Sequence, residues 1–133
     1  MLDTLVFNKQ LNQFEQNIDI LNKKVEIGID SDNETSAKEV GIKIVNWVTE
    51  NFIYINEQIA EKLIKLKNEN WLEEREDEIT KEAFVKQINL DSIQVYPDKE
   101  FELYYSDGDI FWGHSIVVDI DDQFIIQDIN IAG

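Results

Sequence analysis

The sequence predicts an α+β domain in which an antiparallel C-terminal β-meander packs against two longer helices, with an N-terminal β-hairpin extending or flanking the sheet. Three observations carry this expectation. Apolar and polar residues alternate near both ends, apolar residues recur at helical spacing through the middle, and turn-forming residues mark each change of period. A length of 133 residues fits a single domain over 1–133.

Near the N-terminus, Ile18 and Ile20, then Val25, Ile27 and Ile29, recur at every second position. With Asn22-Lys23 as a two-residue turn, Ile20 faces Val25 and Ile18 faces Ile27, so both apolar sets fall on one side of a hairpin. Leu5 to Phe7 adds a strand before it. The run "DSDNETS" from Asp30 then supplies residues that favour turns and helix N-caps. From Ser36 to about Asn70 the apolar positions Val40, Ile44, Trp47 or Val48, Phe52, Ile55, Ile59, Leu63 and Leu66 keep to one helical face. A single helix over that span would far exceed the usual ~12 residues, which places a break near Glu50-Asn51. The charge run "EEREDE" reads as a solvated loop or helix end. Thr80 then caps a short third helix reaching Ile88, with Ala83, Phe84 and Ile88 on one face.

Alternation returns in the C-terminal part. A three-residue loop Pro97-Asp98-Lys99 pairs Val95 with Phe101 and Ile93 with Leu103. Taking Asp107-Gly108 as a type I′ turn pairs Tyr105 with Ile110, Leu103 with Trp112 and Phe101 with His114. That register puts Trp112 and His114 in the core. It leaves Gly113, Ser115, Tyr104 and Phe111 on the opposite face, where the two aromatic rings form a patch suited to a partner. The turn near Asp121-Asp122 leaves open whether Phe124 or Ile125 faces inward.

The functional signals are sparse. Against 28 acidic residues stand 12 basic ones, a formal charge of -16, so the surface field repels nucleic acid and anionic lipid and attracts a basic protein. Cysteine is absent, which excludes disulfides, thiolate metal sites and cysteine nucleophiles. The start "MLDTLVFNKQ" has no basic n-region or long apolar run, and a cytoplasmic, membrane-free protein is expected. "DSDNET" opens like a calcium loop, but Thr35 stands where glycine is needed and Gly41 where a bidentate glutamate is needed. No phosphate loop, His-x-x-x-His pair or Gly-x-Ser-x-Gly elbow occurs, so no metal and no cofactor is expected. As an acid or base, the lone His114 would need Asp107 or Asp109 to hold it, and these turn aspartates lie about five residues away along a strand, roughly 15 Å.

Three short stretches carry a resemblance: "NENW" at Asn68 to Trp71, "FWGHSI" at Phe111 to Ile116 and "IAG" at Ile131 to Gly133. On these, the segment from about Ile59 to the C-terminus resembles an uncharacterised domain family found in bacteria. The resemblance implies no catalytic residues. In size and acidity the chain is also similar to the immunity proteins that accompany bacterial polymorphic toxins.

The expected function is therefore a non-enzymatic acidic binding protein that neutralises a basic toxin domain. Tyr104, Phe111, Asp119, Asp121 and Asp122 are the candidate contacts, while Asp107, Gly108, Trp112, Gly113 and His114 form the structural hairpin motif. Two other classes compete with it. One is a small enzyme or ligand-binding domain with a pocket beside Trp71, Trp112 and His114. The other is a structural module whose charge serves solubility alone.

Overall fold

The computed structural model describes residues 2–70 and 78–132. Ten elements follow in order: β1 (Val6–Asn8), β2 (Gln13–Ile20), β3 (Lys23–Ile29), α1 (Glu34–Glu50), α2 (Phe52–Asn70), α3 (Lys81–Gln87), β4 (Asn89–Val95), β5 (Phe101–Ser106), β6 (Ser115–Ile120) and β7 (Ile126–Ala132). The strands form one seven-stranded sheet in sequence order. Every pairing is antiparallel except β3 with β4, which run parallel because the three helices form the crossover between them. The N-terminal hairpin thus extends the meander.

Alternation along each strand sorts the side chains. Ile18, Ile20, Val25, Ile27, Ile29, Ile93, Val95, Phe101, Leu103, Tyr105, Ile116, Val118 and Ile120 are buried on one face, and Ala37, Ile44, Val48, Ile55, Ile59, Leu63 and Phe84 from the helices complete the same core. The opposite face is mostly polar, with Val117 of β6 a buried apolar residue beside Tyr104.

Local chemistry explains the element ends. Asn33 Oδ1 accepts from Ser36 N–H at 2.8 Å and caps α1, which begins two residues before Ser36. Asn51 closes α1, its backbone N–H donating to the Trp47 carbonyl at 2.9 Å, so the middle segment is two helices divided at the expected place. Thr80 Oγ1 accepts from Ala83 N–H at 3.2 Å and starts α3 as its sequence position predicts.

Two of the hairpin registers differ from expectation. In β2–β3, Leu21 and Asn22 both take left-handed conformations and form the two-residue turn, so Ile18 faces Val25 and Ile20 faces Lys23. The slip is an even number of residues and leaves every side chain on its expected face. In β5–β6 the correction is larger. Tyr105 pairs with Ile116, Leu103 with Val118 and Phe101 with Ile120, so Asp107-Gly108 is no two-residue turn but the start of a longer connection over 107–114. Ile110 and Phe111 are buried there, while Trp112 is 54% exposed and His114 half-buried; the expected core positions of Trp112 and His114 are incorrect.

The β4–β5 hairpin keeps its expected register, Val95 with Phe101 and Ile93 with Leu103. Its loop and the β6–β7 loop share one design. Tyr96 N–H donates to the Glu100 carbonyl at 2.9 Å and Asp121 N–H to the Ile125 carbonyl at 3.0 Å, with Lys99 and Phe124 left-handed at the equivalent place. Phe124 is the inward residue, stacked on Trp47 with ring centroids 5.4 Å apart, and Ile125 is 57% exposed.

Candidate functional site

The helix-free face of the sheet carries the chemistry. Strand alternation brings Glu15 and Asp19 from β2, Glu26 from β3, Glu102 from β5, Asp119 from β6 and Asp128 from β7 to this face, together with Lys24. At its C-terminal side the carboxylates stand in direct cross-strand register: Glu102 faces Asp119, and Asp119 faces Asp128. Like charges placed so are mutually destabilising unless something compensates.

The compensation is a set of hydroxyl donors, joined below about pH 6 by a proton that Asp119 shares with Glu102. Tyr104 O–H donates to Glu102 Oε1 at 2.9 Å, and Tyr96 O–H donates to the same oxygen. Partial burial would raise the Glu102 pKa, but hydrogen bonds from Tyr96, Asp119 and Tyr104 together hold it below the usual glutamate value. Asp119 moves the other way. Desolvation, then its hydrogen bond with Glu102 and the negative charge of Glu102, with smaller contributions from Asp128 and Glu100, push it up to about 6. Asp128 is held low by Lys62 of α2, whose ammonium lies 3.0 Å from Oδ1. Near neutrality the row Glu102–Asp119–Asp128 is fully ionised, and below about 6 Asp119 carries a proton.

The polar layer continues across the sheet. Gln94 Nε2 donates to Gln13 Oε1 at 2.7 Å, and Gln13 Nε2 donates to Glu15 Oε2 at 2.7 Å. Both glutamines lie over Gly28, where a Cβ would stand 2.6 Å from Gln13 Nε2. The glycine makes room for this side-chain chain, which a residue with a Cβ would push aside. Beside the carboxylate row, Tyr96, Glu102, Asp119 and Gln127 line a depression of 380 Å³.

Of the candidate contacts predicted from sequence, the structure brings Tyr104 and Asp119 together on this face. Asp122 is exposed at the β6–β7 loop. Asp121 is committed to that loop: its carboxylate accepts from Gln123 N–H at 2.9 Å, Ile125 N–H at 3.0 Å and Gln127 Nε2 at 2.8 Å. Phe111 does not belong to the patch. It is fully buried and meets Phe84 of α3 edge-on, centroids 6.2 Å apart, because the 107–114 connection breaks the strand alternation that would have placed it outward. Gly113 is exposed, with open space where a Cβ would go. His114 turns Nδ1 to the Phe111 carbonyl. Trp71 lies outside the described residues. Sequence reasoning missed Glu102, Asp128 and Glu15, although their odd or even phase against the apolar stripe of each strand marks them as outward-facing.

The described residues contain no cluster of three or more His, Asp or Glu arranged to hold a metal ion. No described helix is long and apolar enough to cross a membrane.

A family model described as an uncharacterized protein conserved in bacteria, DUF2262, matches residues 1–131. The chain belongs to the DUF2262 family. Membership covers the N-terminal half as well as the C-terminal segment that carries the resemblance in sequence, so hairpin, helices and meander are one family unit. No curated protein and no solved structure matches the chain.

Proposed function

We propose that this DUF2262 chain is a non-enzymatic binding protein that docks a basic protein on the open face of its sheet. The observation that carries the proposal is the composition of that face: Glu15, Asp19, Glu26, Glu102, Asp119 and Asp128 stand against Lys24 and the Lys62 ammonium that reaches Asp128 from α2, on a sheet whose other side is committed to the core. Carboxylates held in place by Tyr96, Tyr104, Gln13 and Gln94 keep their geometry as a cationic partner approaches, so little side-chain entropy is lost on docking. The two tyrosines add apolar contact area among the charges, the mix found at protein interfaces. Size and charge favour a toxin domain as the partner, with the acidic face covering its basic active surface.

The test is association with the product of the neighbouring gene, followed by stopped-flow mixing over a salt series. The association rate should fall roughly tenfold or more between low and physiological salt, with a smaller change in dissociation. Glu102→Lys should slow association, whereas Glu39→Lys on the exposed side of α1 should have a much smaller effect. Equal sensitivity to the two reversals, or no complex at all, overturns the proposal.

A further inference from the structure

On the helical side, a groove of 630 Å³ opens between α2, α3 and the start of β3. Its walls are apolar: Phe52 and Ile53 from α2 and Val85 from α3, with Ile53 75% exposed. In size and lining it matches the clefts that take small ligands, apolar with a few placed polar groups.

Four of the six polar lining residues bring donors: Lys23, Asn56, Lys81 and Lys86. Asn56 is only 5% exposed, and its Oδ1 accepts from the buried Tyr105 O–H at 2.7 Å, which fixes the amide plane. Its Nδ2 has no acceptor among the described residues, yet no buried polar side-chain atom of the described residues is left without a partner, so this N–H₂ opens to the groove that Asn56 lines. Around it stand Lys23, Lys81 and Lys86. Lys23 donates to Asn89 Oδ1 at 2.9 Å and Lys81 pairs with Glu61 at 3.2 Å, whereas Lys86 makes no ion pair or side-chain hydrogen bond among the described residues. Glu57 and Glu82 also line the groove and Glu61 neutralises Lys81, so three lysines meet three glutamates and the groove is locally neutral on a chain of -16.

We propose that this groove binds a small amphiphilic monocarboxylate, its apolar body on Phe52, Ile53 and Val85 and its carboxylate accepting from the Asn56 amide and the rim ammonium groups, Lys86 foremost. A carboxylate supplies the acceptors that both donor types need, and charge-assisted bonds of this kind are the strong ones. The two glutamates select a monoanion over a phosphate-like dianion. The site lies on the helical layer, separate from the proposed docking face, so the two proposals stand or fall independently.

Decanoate, below its micellar concentration, is the probe, titrated into ¹⁵N-labelled protein. Saturable shifts are expected at the Asn56 side-chain amide and Val85, with affinity rising about fourfold for each methylene from octanoate upward. Methyl decanoate should bind at least tenfold more weakly, and Lys86→Gln should weaken decanoate fivefold or more while leaving the ester unchanged. Lys86 is exposed, so that variant tests the site without disturbing the core. Equal binding of acid and ester, or shifts that never saturate, overturns the proposal.

Discussion

The Asp107 carboxylate accepts a 2.8 Å hydrogen bond from the backbone N–H of Phe111, and the same Oδ2 also accepts from Gly113 N–H at 3.2 Å and His114 N–H at 3.1 Å. Oδ1 takes Asp109 N–H at 3.0 Å. One side chain, 3% exposed, thus satisfies four backbone donors of the connection between β5 and β6. Asp107→Ala should therefore cost about 2–3 kcal/mol, since it strands the buried Phe111 N–H and removes the partner of three part-buried donors. Asp107→Asn keeps one acceptor oxygen and should cost less. Urea unfolding midpoints read both, and an Asp107→Ala variant as stable as wild type would contradict the role.

Gly108 lies against the end of α3. Its φ is +57°, and a Cβ there would stand 2.3 Å from the Gln87 carbonyl oxygen. Gly113 has φ +88° and open space around a Cβ. Gly113→Ala should show only the conformational penalty, about 1 kcal/mol, while Gly108→Ala adds the clash and should lose about 2 kcal/mol or more. Thermal melts of the two variants separate backbone strain from packing, and equal losses would mean that the connection yields at α3.

Tyr105 places its hydroxyl against Asn56 Oδ1 in the core, and burial pushes its pKa well above the usual tyrosine value. Tyr105→Phe removes the donor and leaves the Asn56 oxygen without one, at about 1–2 kcal/mol. Chemical denaturation gives the number. A neutral outcome would show that Asn56 finds another partner.

The opposite shifts of Glu102 and Asp119 make stability depend on pH. Asp119 has a folded pKa of about 6, above its ordinary value of 3.8, so between those values the folded chain holds a proton that the unfolded chain has released. Its contribution to stability is complete below about 4 and declines as pH rises to about 6. Glu102, held low, contributes in the opposite sense, its stabilisation being lost as pH falls below the glutamate range. Asp119→Asn should flatten the decline between pH 4 and 6 in melting temperature. If the proposed basic partner docks on this face, its affinity should strengthen as pH rises through about 6 and Asp119 takes on its charge, and a pH-independent affinity would exclude this pair from the contact.

Period and phase in the sequence determined which face each strand residue occupies, because the helices cover one side of the sheet and bury most of its apolar side chains there, and the pleat repeats every second residue. The cap at Thr80 and the Pro97-Asp98-Lys99 loop were equally legible, since each is set by residues within a few positions of itself, whereas the break at Glu50-Asn51 followed only from the usual length of a helix. The β2–β3 turn was legible only to within a two-residue slip, which preserves the faces and so leaves no trace in the apolar pattern. The connection over 107–114 belongs to the tertiary structure alone. Read as strand, its alternation buries Trp112 and His114; in the fold, Asp107 gathers the backbone N–H groups, Gly108 seats against Gln87, and Phe111 meets Phe84 across a gap of 27 residues. The same holds for the acidic row. Each carboxylate is an ordinary outward residue of its own strand, and only the sheet order places Glu102, Asp119 and Asp128 side by side, where desolvation and mutual repulsion make Asp119 titrate near 6.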